Sequence, residues 1–378
     1  MKLFWKRKKT IERGNRIPVT NTVPRANNQL YRSSKQLYME DINYNLQMLR
    51  KRLPDTNLTF EYFTIGSRSN TKVVIAYLKD LANPGIVNEI KERLINIKAE
   101  IIPDSSYIER NIEDSNWSPF PQVEIISKVD ITLSVLTQGR VAIFVDGCPS
   151  VIAVPVTFFD LMDTPDDAYR RWFFASSFFR IARYISFIIA TLLPGFYIAL
   201  TSFLPELIPT VLTFNIAASR EGVPFPIYLE AFILMGIAEL VRMVILRMPN
   251  IIGQVISLFA GITLVMTTLV ANIIGAPIII IVGITIIASF AVPSFDLRSS
   301  IRIIQFFIMV FSTIFGLFGL AIGFFYIAIH LATLKSFGIP YMAPFGPTEL
   351  SGWGHTILRE SPVKMAQDQT YKPQKNKS

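Results

Sequence analysis

From Tyr184 to Leu334 nearly every position is apolar, whereas the flanking sequence mixes short hydrophobic runs with charged and polar clusters. A hydrocarbon layer of about 30 Å takes about 20 apolar residues per helix, and windows at 184–204, 228–247, 251–271, 273–292 and 303–334 reach or approach that length. This pattern predicts a polytopic transmembrane domain of four or five helices. The first window holds Pro194, which membrane helices tolerate when neighbours re-satisfy the freed carbonyl. The second carries Glu230, Glu239 and Arg242, so it faces a bundle interior or lies at the interface. Residues 251–292 are too long for one crossing, and Asn272, Gly275 and Pro277 near the middle predict a turn between two helices. The run 303–334 lacks Asp, Glu, Lys and Arg and is expected to span with tilt.

The sequence ahead of this block reads differently. Ile42, Leu46 and Leu49 recur at helical spacing before the stop at Pro54. Lys72 to Leu78 (KVVIAYL) reads as a strand, and Asn83-Pro84-Gly85 as the turn that launches a helix over 86–97. Strands over 140–145 and 151–156 flank Asp146-Gly147, and Asp-Gly between hydrophobic runs is a hairpin signal before it is an active site. The prolines of Trp117-Ser118-Pro119-Phe120-Pro121-Gln122 hold that stretch extended, as a rigid cover over the domain's own core or a docking surface. In Thr164 to Arg171 (TPDDAYRR), Pro165, Asp166 and Asp167 suit a helix N-terminus.

The expected fold class is α+β: an N-terminal cytoplasmic α/β soluble domain over 39–170, followed by a polytopic α-helical transmembrane domain over 171–347. Residues 1–38 are basic and aperiodic and read as mostly disordered, and 348–378 form a basic C-terminal tail.

Composition narrows the function classes. The chain is 51% hydrophobic with a formal net charge of +9 over 378 residues. Basic clusters at both ends and at Arg170, Arg171, Arg180 and Arg183 beside apolar windows point to cytoplasmic retention and membrane lipid, with no nucleic acid. Cys148 stands alone, which excludes an intramolecular disulfide and a thiolate metal cluster. No hydrophobic region follows the basic start, so no cleavable signal is expected. The two histidines, His330 and His355, have no metal spacing, and neither a phosphate-cradling glycine loop nor a Ser/His/Asp order is present. The expectation is a non-enzyme without cofactor or metal.

Candidate chemistry lies in the apolar block. Gln254, Ser257, Thr267, Thr268 and Asn272 are among the polar residues of an otherwise apolar helix, and Gln254, Ser257, Gly261 and Thr268 fall near one face. Such a stripe fits a pore lining, and it also fits a close helix contact around Gly261. Glu230, Glu239 and Arg242 are ionisable at membrane depth, which makes them functional candidates. Glu239 and Arg242, three apart, can pair on one face, and His330 marks the interface.

Several motifs occur in one family's order between about Asp41 and Pro347. They are Ile65-Gly66, residues 90–97 (IKERLINI), Ile112-Glu113-Asp114 with Ser118-Pro119-Phe120-Pro121-Gln122, and Gly139-Arg140-Val141-Ala142-Ile143 with Asp146. The apolar block adds Ser219-Arg220-Glu221-Gly222-Val223-Pro224-Phe225-Pro226, Glu230, Met248-Pro249 with Gly253-Gln254, Ala288-Ser289-Phe290, and Ser336-Phe337-Gly338-Ile339-Pro340-Tyr341. Together they resemble the A subunit of GerA-type spore germinant receptors. The resemblance implies a nutrient-gated assembly in the inner membrane of the bacterial spore, its soluble domain facing the core. In it, A subunits form a homo-oligomer as the ion-conducting element, beside a transporter-like, germinant-sensing B-type subunit and a C-type lipoprotein. It marks Arg220, Glu221, Pro224 and Pro226 as a family motif loop.

The sequence departs from the family at three places. Only the second of two soluble subdomains is recognisable, a glycine- and alanine-rich stretch is replaced by 264–275, and a charged pattern is thinned to Ala238–Arg242. A secondary transporter-like protein, or a non-conducting regulatory paralogue, therefore stays open. The basic tail, placed on the same side as the domain, requires an even number of crossings. With five windows, four full crossings are expected.

Overall fold

The computed structural model describes residues 37–164, 173–247, 250–346 and 371, with side chains left out at 173–175, 250–254, 256–257 and 264. The basic N-terminus, most of TPDDAYRR and nearly all of the C-terminal tail lie outside the described residues.

The first half is a five-stranded antiparallel sheet between helices. Its elements are α1 (Ile42–Arg52), β1 (Leu58–Ile65), β2 (Thr71–Leu78), α2 (Pro84–Asn96), α3 (Ser105–Ile112), β3 (Glu124–Ile126), α4 (Val129–Thr137), β4 (Val141–Val145), β5 (Val151–Val154) and α5 (Phe158–Met162). Strand order is β1-β2-β4-β5-β3. Helix starts follow local chemistry: Asp41 accepts from Asn43 N at 2.9 Å ahead of α1, and Asn83 accepts from Gly85 N ahead of α2, whose first residue is Pro84. Asp146-Gly147 is the β4–β5 turn, with Gly147 at φ +82°.

Period-two alternation sends alternate residues of each central strand to opposite faces. Val73, Ile75 and Ile143 meet Ile86, Ile90 and Leu94 of α2 and Ile108 and Ile112 of α3. Val74, Ala76 and Phe144 meet Ile42, Leu46 and Leu49 of α1 and Leu136 of α4.

The second half is helical: α6 (Phe173–Phe203), a 3₁₀ turn (Pro205–Leu207), α7 (Thr210–Ala218), α8 (Ile227–Arg247), α9 (Asn250–Val270), α10 (Ala276–Phe290) and α11 (Phe295–Thr333). Among the described residues two helices are long and apolar enough to cross a membrane, Ser176–Phe203 and Phe295–Thr333. The five apolar windows fall on α6, α8, α9, α10 and α11.

The last of these differs from a single tilted passage. Gly316 adopts φ +60° and ψ −137°, outside the helical region. Beyond it the chain folds back: the Phe307 and Tyr326 rings lie 5.6 Å apart, and Gly323 backs onto Ile308. In an unbroken helix, residues 308 and 323 would stand about 22 Å apart at a 1.5 Å rise. α11 is therefore a hairpin with arms over 295–315 and 317–333. The physical reason is glycine at 316, 319 and 323, which removes side chains where the arms cross and admits the backbone conformation at the bend.

Contacts give each helix a direction. α6 starts beside the sheet domain, where Arg180 pairs with Asp163 at 2.8 Å, and ends with Phe203 against Gly316 at the far tip. α8 runs back antiparallel to the first arm of α11, as shown by the Phe232–Phe306 ring pair, Met235–Gln305 and Glu239–Arg302. Arg242 over the Phe290 ring brings the ends of α8 and α10 to the same level. Counting α11 as two, the described residues contain six long helical legs (α6, α8, α9, α10 and both arms), and the last delivers the chain back to the sheet domain.

Candidate functional site

The helical half is tied at three places, each by residues distant in sequence. At its base, one apolar core runs unbroken from the sheet domain into the helices. It joins Phe120, Val156, Phe158, Leu161 and Met162 to Ala190 of α6, Ala288 of α10, and Leu297, Ile301, Ile308 and Leu331 of α11.

The proline-rich stretch 117–122 forms the polar part of this seam. Ser118 Oγ and His330 Nε2 are hydrogen-bonded at 2.9 Å, and Phe120 stacks near the His330 ring. Ser300 Oγ donates to the Pro119 carbonyl, and Tyr341 Oη donates to the Pro121 carbonyl at 2.8 Å. Gln122 is fully buried and acts as a hub: its Oε1 accepts from Asp114 N and Ser115 N, and its carbonyl accepts from Ser336 Oγ at 2.8 Å. The stretch covers the domain's core and also docks the chain's own helices, a role that spacing alone does not reveal.

After α11 the chain enters the sheet domain as a short antiparallel pair, β6 (Lys335–Ser336) and β7 (Ile339–Pro340). Phe337, at its turn, is 2% exposed and belongs to the core beneath the sheet, under the Arg93 guanidinium at 4.5 Å. Asp114 binds both Arg93 and the Phe337 amide. Three carboxylates gather beside this seam. Burial, with Asp296 and Glu113 nearby, pushes Glu109 up to about 7, and burial also raises Glu113. Tyr341 is raised by burial next to Asp160 and Glu113.

The second tie is a charged cluster near the base, where the ends of α8 and α10 meet the start of α11. Glu239 pairs with Arg242 at 2.7 Å, as the i,i+3 spacing predicts, and its second oxygen lies 3.5 Å from Arg302 on α11. Sequence reasoning missed Arg302, which is remote in the chain.

At the tip, Glu230 is 1% exposed and doubly held: Arg220 donates to its Oε1 at 2.8 Å, and Gly275 N donates to its Oε2 at 2.8 Å. Arg220 also donates to the Phe225 carbonyl, which closes the loop between α7 and α8. Of the motif-loop residues, Arg220 alone enters this clasp. Glu221, Pro224 and Pro226 are exposed, and the Pro226 carbonyl accepts the first amides of α8. The clasp pins the turn between α9 and α10, where Asn272 sits exposed at φ +50°.

α9 itself is the least covered leg. It packs on α8 within the chain and leaves Leu258, Phe259, Ile262, Met266 and Val270 exposed. Thr267 is exposed, Thr268 donates to the Val265 carbonyl of its own helix, and a Cβ added at Gly261 would meet nothing within 4 Å. The side chains of Gln254 and Ser257 lie outside the described residues. Among the described residues no group of three or more His, Cys, Asp or Glu could hold a metal ion.

Comparison with known proteins places these features in context. A family model described as Bacillus/Clostridium GerA spore germination protein matches residues 16–371. Spore germination protein GerLA of Bacillus cereus is 35% identical over 345 residues, 91% of this chain and 70% of that protein. Spore germination protein A1 of Bacillus subtilis (strain 168) is 37% identical over 350 residues, 93% of this chain and 72% of that protein. The chain spans between 61% and 72% of the length of the first three curated relatives it matches. Among solved structures, the N-terminal domain of the A subunit of the Bacillus megaterium spore germinant receptor GerK3 shares 36% identity. That match covers 32% of this chain and 98% of that one, with a TM-score of 0.28.

Proposed function

The chain belongs to the GerA spore germination protein family, and on that premise we propose that it is the A-type subunit of a nutrient germinant receptor, embedded by its helical half in the inner membrane of the spore. In this reading the six helical legs cross the bilayer, and the sheet domain lies on the cytoplasmic or core side. Arg180, Arg183, Arg298 and Arg302 at the base fit the bias of cationic residues toward that side. Copies of the subunit associate around α9 to form a nutrient-gated ion path, with B-type and C-type subunits completing the receptor.

The observation that carries this reading is the bared face of α9. Thr263 and Thr267, one helical turn apart, are exposed beside Leu258, Phe259, Ile262 and Met266, and no other element covers them among the described residues. Facing lipid, a hydroxyl can turn only to a carbonyl of its own helix, whereas a neighbouring copy or a file of water gives it a further partner. The charged residues of the helical half serve a different purpose: Glu230, Glu239 and Arg242 are each held in an ion pair, so they act as clips between helices and the ion path is assigned to α9.

The test is nutrient-triggered release of monovalent cations from spores carrying or lacking this gene, with its neighbouring subunits present in both. The expected outcome is a loss of release that the intact gene restores and a Thr268→Trp version does not. Unchanged release to every nutrient, with the protein confirmed in the membrane, would instead identify a non-conducting relative.

A further inference from the structure

Trp117 is 97% exposed, the barest large apolar side chain on the sheet domain. Its place makes that exposure informative. The neighbouring Ser118 is hydrogen-bonded to His330, three residues before the end of the returning arm of α11. That arm presents Phe325, Tyr326 and Ile329 outward, all more than 60% exposed, and this apolar face stops at His330. Two residues beyond the arm, Lys335 is exposed and has no acidic partner within 4 Å among the described residues. A cavity of about 390 Å³ opens here, lined by Ser115, His330, Thr333 and Lys335 and by Asp114, whose carboxylate is taken up by Arg93 and the Phe337 amide. An indole, carried next to the Ser118–His330 contact, and a cation two residues past the arm thus both lie where an apolar helical face ends.

We propose that Trp117 and Lys335 form the contact by which the sheet domain rests on the anionic phospholipid surface, Trp117 lying at the headgroup boundary and Lys335 engaging lipid phosphate. This rests on the membrane reading above. The amphipathic indole is favoured at that depth because its ring reaches the acyl boundary while its N–H stays among polar groups. The ammonium, carried on a flexible stem, reaches phosphate from the helix end. The occupant is lipid because the patch lies at the end of the outward apolar face of Phe325, Tyr326 and Ile329, to which Ser118 is bonded through His330. The hydrogen bonds of Ser118 and Ser300 fix Trp117 to that level, so the domain cannot tilt away without breaking the seam.

The experiment uses the full chain with Trp5, Trp172 and Trp353 replaced by Phe, reconstituted into vesicles of phosphatidylcholine and phosphatidylglycerol. Brominated lipid is expected to quench the Trp117 emission, acrylamide to reach it poorly, and Lys335→Glu to weaken the lipid quenching. Quenching by acrylamide as complete as for free indole, with none by bromolipid, overturns the proposal. So does protection from both quenchers, which would mean that protein covers the indole. Carbonate extraction of the same vesicles separates the two levels: a chain that washes off refutes the membrane reading, and an integral chain with unquenched Trp117 refutes this inference alone.

Discussion

Glu230 accepts a hydrogen bond from the Gly275 amide at 2.8 Å while it pairs with Arg220, so one buried carboxylate ties the α7–α8 loop to the α9–α10 turn. Removing the arginine leaves that carboxylate buried without its counter-ion. Arg220→Ala is therefore expected to cost about 3–5 kcal/mol, read as a lower melting temperature in detergent. Glu230→Gln keeps an acceptor for Gly275 and loses the charge, so it should cost less. Exchanging the two residues should not rescue stability, because an arginine at 230 has no acceptor to offer Gly275.

The Glu239–Arg242 pair behaves differently because Arg302 shares its carboxylate. Either single reversal is expected to weaken packing of α8 on α11. The double change Glu239→Arg with Arg242→Glu should restore only part of the loss, since the new arginine then faces Arg302. Adding Arg302→Glu should recover more, and a double change that rescues fully on its own would show that Arg302 takes no part. Recovery of folded, monodisperse protein in detergent is the readout.

These two clusters show where sequence reasoning reaches and where it stops. The apolar windows are legible because long uncharged runs stand out by hydropathy alone, and Glu239–Arg242 because i,i+3 neighbours share a helix face. The clasp at Glu230 is not, because Gly275 lies 45 positions away and contributes only a backbone amide. Ser118–His330 and Gln122–Ser336 span more than 200 positions and join a loop to a helix end, which no local period encodes. The bend at Gly316 hides in an apolar run, since glycine is ordinary in such helices and reveals its role only through the arm that returns.

That bend yields a sign contrast. At Gly316 the backbone conformation admits essentially glycine only, and an added Cβ would fall 2.8 Å from the Phe203 ring. Gly316→Ala is therefore expected to destabilise by about 1–3 kcal/mol from backbone strain alone. Gly261 has a helical backbone and open space, so Gly261→Ala should be neutral or stabilise by up to about 1 kcal/mol through helix propensity. Parallel thermal melts in detergent check both.

Glu109 predicts a pH dependence. Burial and the nearby Asp296 and Glu113 raise it to about 7, above its unfolded value. The folded state then binds the proton more tightly than the unfolded chain. The stabilisation is complete below the unfolded carboxylate range, declines as pH rises from about 4.5, and is lost above about 7. Glu109→Gln should melt at a temperature that changes less across that window and should exceed the parent protein above pH 7. A parent and variant with the same pH slope would contradict this.

The most direct measurement is the reaction rate of an aqueous thiol reagent with single cysteines placed at Thr263, Thr267 and Thr268 in a Cys148→Ala chain, in spores before and after nutrient. If α9 lines the gated path, the rate at one or more of these positions rises when nutrient is added, and modification there blocks cation release. Three positions that stay unreactive in both states, in protein that still supports release, would contradict it.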